Sequence, residues 1–306
     1  MRKKRDKSWP LLFLGLLIII GSWLISLSWV INSYQEIIRE IRTPVFRPKL
    51  KESRIVDSES RIEEEGKETV KPPKVVSAEK PPPKVSKGKR IAIILDDAGY
   101  SLSPEALELV EEGWPITVSI FPFLSCSKKI AEVVKENNGE VMLHLPMEAS
   151  QPTNLKGTIL LEMKEEEIRE DVRSAIKAIP NLLGVNNHMG SKATADQKTM
   201  SAVLSEIKEH NLYFVDSVTT EKSCAAKTAK RMGLKTGVRN VFLDNEDNIE
   251  YVAKQFELLL EMARKNGEAI AIGHITKKST VSFLKKEIPK LTEAGYELVR
   301  VSEMVK

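Results

Sequence analysis

From residue 89 onward, short runs rich in β-branched residues alternate with longer stretches whose apolar positions recur at helical spacing. The first run, IAIIL at 91–95, is apolar throughout, which is the pattern of a strand buried on both faces. Further strands are expected at 116–120, 141–145, 183–185, 212–215, 241–243, 269–272 and 298–301. Helices are expected between them. Ser103-Pro104 forms an N-cap and first-turn signal for a helix over 104–112. Others follow at 128–136, 164–179, 195–210, 223–232, 247–266 and 280–294. In 164–179, Ile168, Val172, Ala175, Ile176 and Ile179 share one face, and Pro180 stops the helix. In 247–266 the stripe is Ile249, Val252, Phe256, Leu259, Leu260 and Ala263, with Gly267 as the C-terminal cap. Repeated strand–helix units imply parallel strands with helices outside. The expected fold is α/β, a deformed (β/α) barrel of about seven parallel strands, with a doubly wound sheet as the alternative.

The first 88 residues follow different patterns. Met1–Lys7 holds five basic residues and one acid, and residues 10–31 are apolar apart from Gly and Ser. About 22 residues at ~1.5 Å rise span ~33 Å, enough to cross the hydrocarbon core. The run is longer than a signal peptide's apolar region and no small-x-small site follows it, so residues 1–32 read as a basic tip and a single-pass transmembrane anchor. The basic tip stays in the cytoplasm, which places the rest of the chain outside, on the periplasmic side of the cytoplasmic membrane. Residues 33–88 are rich in Pro, Lys and Glu without apolar periodicity, the composition of a disordered, extended linker. Residues 89–306 form the folded domain. The net charge of +4 largely reflects the basic start, and no aromatic-basic platform or recognition helix points to nucleic acid. The two cysteines, Cys126 and Cys224, follow well-separated strands, so both are expected to be unpaired, although the location permits a disulfide.

Candidate chemistry falls where a parallel barrel puts its functional residues, at the carboxyl ends of strands. The first strand runs into Asp96-Asp97. Adjacent carboxylates there are costly unless partnered, and a divalent cation would leave one as ligand and the other free to move protons. A solvated Asp-Gly turn is the alternative. His144 and Glu148 end the third strand, Asn187-His188 the fourth, Asp216-Ser217 the fifth, Asp244-Asn245 the sixth and Gly273-His274 the next. Three of the four histidines and several acids at strand ends point to a metal or catalytic site.

The runs LDDAGY, LHLPMEA, GVNNHMGS, FVDS, VFLDN and AIGH, in this order across 89–306, resemble the divergent polysaccharide deacetylase family, a distant branch of the NodB-like carbohydrate esterases. The resemblance implies a deformed β/α barrel, a bound divalent cation, usually zinc, and hydrolysis of N- or O-acetyl groups on an envelope polysaccharide such as peptidoglycan. It implies Asp96 as general base, Asp97 and His144 as metal ligands, and His274 as general acid. The relatives' His-x-x-x-His motif reads His144-x-x-x-Glu148 here, so His188 replaces the second histidine or Glu148 itself binds. Glu148, Asn187, Asp216, Arg239 and Asp244 are candidates for sugar binding or for support of the ligands, with loop capping as the alternative. Met147 and Met189 read as packing residues. The altered motif leaves a second possibility, a non-catalytic module that binds glycan or a partner protein in the cell envelope.

Overall fold

The computed structural model describes residues 89–306; the expected anchor at 10–31 and the linker at 33–88 lie outside the described residues. Strands and helices alternate along the domain. Strand β1 (Lys89–Ala98) is followed by α1 (Pro104–Glu111), β2 (Thr117–Ile120), α2 (Ser127–Glu136), β3 (Glu140–Met147) and α3 (Glu165–Ala178). Next come β4 (Leu182–Met189), α4 (Gln197–Glu209), β5 (Tyr213–Asp216), α5 (Ala225–Arg231), β6 (Thr236–Val238) and β7 (Val241–Phe242). The chain ends with α6 (Ile249–Asn266), β8 (Glu268–His274), α7 (Lys278–Glu287) and β9 (Tyr296–Leu298).

All strand pairings are parallel, in the order β6-β5-β4-β3-β2-β1-β8-β7, with β9 added to β1. The two ends of this order, β6 and β7, are separated in sequence only by Arg239 and Asn240. Arg239 N donates to Asp216 O on β5, and the next residue, Asn240, donates its N–H to Ile270 O on β8. Neighbouring Cα atoms lie about 3.8 Å apart, so this step draws β5 and β8 onto one kinked strand and curls the sheet round. With β6 and β7 taken as that kinked strand, seven strands form the ring.

The two faces of each strand explain the layering. Inward-facing Ala92, Ile94, Met142, Tyr213, Val215, Ile270 and Ile272 fill the lumen and meet Val299, Val301 and Met304, which close its lower end. Outward-facing Ile91, Ile93, Leu95, Leu143, Leu145 and Phe214 pack under the helices. Gly184 allows this filling, because a Cβ there would sit 2.3 Å from the Tyr213 ring.

Four local details differ from expectation. The helix expected over 280–294 ends at Glu287 and gives way to a 3₁₀ turn at Ile288–Lys290, since Pro289 cannot donate to an α-helical ladder. The last strand lies at Tyr296–Leu298, pairing with the part of β1 that precedes its contact with β2. The unanticipated β6 contains Gly237 and covers three residues, too few for a period-two signal. Ile249, assigned to the buried stripe of α6, is exposed in its first turn.

Candidate metal and catalytic site

The mouth of the barrel is built by continuing the lumen's two-residue step one position further. After Ile94 comes Asp96, after Met142 comes His144, and after Ile272 comes His274. Asp97 would fall on the opposite face of a regular strand. Instead β1 carries a bulge: Leu95 and Ala98 oppose Val118 and Ile120, three steps against two, and Asp97 has φ 66°. The bulge turns both carboxylates toward one histidine. His144 Nε2 lies 3.7 Å from Asp96 Oδ2 and 3.2 Å from Asp97 Oδ1.

His188, near the end of β4, completes a triangle. Its Nδ1 is 3.3 Å from Asp97 Oδ1 and 3.1 Å from His144 Nε2. One ligand atom from each of Asp97, His144 and His188 lies within 4.8 Å of the others. Asp97 Oδ1 is buried and has no hydrogen-bond partner, although both ring nitrogens are close. A buried anionic oxygen in that state is costly, and a cation shared by the three groups would satisfy it. The donor set, two imidazoles and a carboxylate, suits a divalent transition metal. Phe121 backs the cluster, its ring centroid 4.9 Å from that of His144 and 4.8 Å from that of His188.

The hydrogen-bond hub beneath the cluster is Asn186. Its Nδ2 donates to Asp96 Oδ1 at 2.9 Å, so its Oδ1 faces the other way and accepts from Ser119 Oγ at 2.5 Å and His144 Nδ1 at 2.8 Å. His144 therefore carries its proton on Nδ1 and turns the Nε2 lone pair to the cluster. Asn186 was not among the expected residues, whereas its neighbour Asn187 was. Alternation held the missing signal: His188 faces the lumen, so the residue two before it does too.

On the opposite wall, Asp244 binds His274 twice, through Nδ1 at 2.9 Å and the backbone N–H at 2.7 Å, and accepts from Thr280 Oγ1 at 2.6 Å. Gly273 permits this approach, since a Cβ there would meet Asp244 Oδ2 at 3.3 Å. His274 Nε2 is left facing the mouth, 3.8 Å from Asp97 Oδ2.

Electrostatics separate the two aspartates. Burial pushes the Asp96 carboxyl up from its ordinary range despite the nearby His144 and Asn186. For Asp97, burial acts upward too, but His144 and His188 outweigh it and hold the group far below the ordinary range. Burial lowers His274 and Asp244 more than reverses that, leaving the imidazole above its ordinary value. Burial, with neighbouring His144, depresses His188.

The remaining expected residues shape the surroundings. Glu148 is not in the cluster; its carboxylate accepts from Leu161 N at 2.8 Å and pairs with Lys192 at 3.0 Å, which fixes the loop after β3. Asn187 holds Ser217 N and Met189 O. Asp216 accepts from Val218 N, Ser223 Oγ and Ala226 N, a loop-capping role. Arg239 donates to Ser217 O and Val218 O, and its guanidinium lies 5.0 Å from the Phe242 ring centroid. Phe242 in turn meets the His274 ring edge-on at 5.3 Å. Arg239 thus clasps the mouth across the kink between β6 and β7. Met147 is fully buried packing, and both cysteines are free.

The family description "divergent polysaccharide deacetylase" matches residues 93–305, nearly the whole described domain. This chain belongs to the divergent polysaccharide deacetylase family. The uncharacterized protein YibQ of Escherichia coli K12 is 36% identical over 218 residues, covering 71% of this chain and 67% of that protein. An uncharacterized Haemophilus influenzae protein is 33% identical over 205 residues, 67% of this chain and 72% of the other. Among solved structures, the uncharacterized protein ATU2773 from Agrobacterium tumefaciens C58 superposes with a TM-score of 0.67 at 24% identity, over 73% of this chain and 92% of that one, a likeness of fold.

Proposed function

We propose that this protein is a metal-dependent deacetylase that hydrolyses acetyl groups on an envelope polysaccharide such as peptidoglycan, with zinc held by Asp97, His144 and His188. The observation that carries this reading is the division of labour at the mouth. One aspartate faces two imidazole nitrogens with its oxygen unpartnered, while the other is set aside by Asn186. A zinc ion in the cluster would polarise the acetyl carbonyl and make an adjacent water acidic. Asp96, buried and raised above the ordinary carboxylate range, takes the proton from the attacking water. Asn186 keeps Asp96 pointed at the mouth while leaving one of its oxygens free. His274, raised by Asp244 and with Nε2 toward the mouth, delivers a proton to the departing amine. Phe121 keeps water from the back of the cluster.

Acetate release from partially acetylated glycan fragments tests the reading. Asp96→Asn and His274→Ala are each expected to lower turnover ~100- to 10,000-fold, the usual weight of a general base or acid, with metal content unchanged. Asp97→Asn is expected to lose both. A wild-type protein that carries metal and releases no acetate from any envelope glycan would favour the non-catalytic binding module.

A further inference from the structure

One hydroxyl at the mouth has no partner within the protein. Ser217 follows β5 and is 4% exposed, and its Oγ is buried without a hydrogen bond. Tyr213 and Val215 face the lumen, and Ser217, one residue past the end of β5, is the next position in that two-residue step. Strand pairing sets Val215 beside Asn186, and the same register carried two residues on would set Ser217 beside His188. Its backbone is fixed on both sides. Asn187 Oδ1 accepts from its N–H at 2.9 Å, and Arg239 Nε donates to its carbonyl at 2.7 Å. The next residue, Val218, is held at φ 49°, which a β-branched side chain rarely adopts. Its N–H is bound by Asp216 and its carbonyl by Arg239. The backbone on either side of the hydroxyl is committed, and the hydroxyl itself has no partner.

A buried hydroxyl without a partner destabilises the protein that carries it, and strain concentrated beside it is characteristic of sites organised for binding. We propose that Ser217 Oγ donates a hydrogen bond to an oxygen of the sugar substrate, a hydroxyl or the acyl oxygen, when that substrate lies against the Asp97–His144–His188 cluster. The inference rests on the reading of this site as a glycan deacetylase. Ser217 is a substrate-positioning group in it, on the wall opposite the Asp96–His274 side.

The test compares wild type with Ser217→Ala and Ser217→Thr, each loaded with zinc, using N-acetylglucosamine oligomers as the probe. Because the hydroxyl has no internal partner, Ser217→Ala is expected to keep its zinc and to melt at the wild-type temperature or slightly above it. The shift in melting temperature that the oligomers give the wild type is expected to shrink in Ser217→Ala and to return in part in Ser217→Thr. The KM for acetate release rises about tenfold, the weight of one hydrogen bond, with a smaller change in kcat. A Ser217→Ala protein that melts several degrees lower without ligand would show a structural role and overturn the proposal. So would an oligomer-induced shift equal to that of the wild type, or no shift in the wild type at all. Oligomers that stabilise the wild type but release no acetate would contradict the deacetylase reading and leave the Ser217 contact standing.

Discussion

Asn186 is the residue on which the site's geometry most depends, because three buried groups converge on one amide: Asp96, His144 and Ser119. Replacing it with Ala strands all three, and a buried group left unpaired costs about 1–3 kcal/mol. Asn186→Ala is therefore expected to lose about 3 kcal/mol, roughly 6–12 °C in melting temperature for a domain of this size, and most metal affinity with it. A thermal melt and a zinc titration check both losses. The Asp244–His274 pair predicts a pH dependence. Burial opposes the Asp244 charge, but His274 and Thr280 hold its pKa below the ordinary value, so its contribution is full above the unfolded pKa near ~4 and is lost as pH falls through the folded one. His274 is raised, so its contribution is full below an unfolded pKa near ~6.5 and is lost as pH rises through the folded value. In metal-free protein, the melting-temperature gap between wild type and Asp244→Asn should thus be widest between about pH 4 and 6.5 and narrow on either side. A gap that stays constant with pH would contradict the pairing.

At the scale of elements, the bulge in β1 and the turn after β5 set the mouth, and both depend on residues held at positive φ, Asp97 and Val218. Strain at Val218 costs about 1–3 kcal/mol and the added flexibility of glycine about 0.5–1. Val218→Gly is therefore expected to raise stability by about 1 kcal/mol, read as a higher denaturant midpoint at unchanged slope; a lower midpoint would show that the valine side chain outweighs the strain. These elements also mark how far the sequence could be read. Strand–helix alternation and the cluster of His and Asp at strand ends were legible, because each strand leaves a run of β-branched residues and each site residue lies at its end. Asn186 was hidden because two adjacent asparagines precede His188, and only the alternation counted back from His188 shows that Asn186, not Asn187, shares its face. Glu148 illustrates the opposite case. Its spacing from His144 imitates a ligand motif, yet β3 ends at Met147 and the next residue turns into the loop, where a backbone N–H and Lys192 claim it. Of the kinked β6–β7 strand only the second half, expected at 241–243, left a trace in the sequence, because β6 covers three residues including Gly237 and is cut off from β7 by Arg239 and Asn240.

For the molecule as a whole, the kink closes the ring, and Val299, Val301 and Met304 fill its lower end, so the opening that bears chemistry is the mouth. With Met1–Lys7 basic and residues 10–31 apolar, we propose that the domain works outside the cytoplasmic membrane, where envelope glycans lie. An alkaline phosphatase reporter fused after Lys306 is expected to be active, since that enzyme folds only where disulfides form. An inactive alkaline phosphatase fusion, with an active cytoplasmic reporter at the same position, would contradict the topology.

We propose that Asp97, His144 and His188 hold one metal ion while Asp96 stands free of it. Metal content per chain, measured by mass spectrometry on purified wild type and on Asp96→Asn, Asp97→Asn, His144→Ala and His188→Ala, tests this most directly. The expected result is near-stoichiometric zinc in wild type and Asp96→Asn, and its loss from the other three with the fold retained by circular dichroism. Zinc that persists in Asp97→Asn and disappears from Asp96→Asn, or that survives in all four variants, would rule out this ligand set.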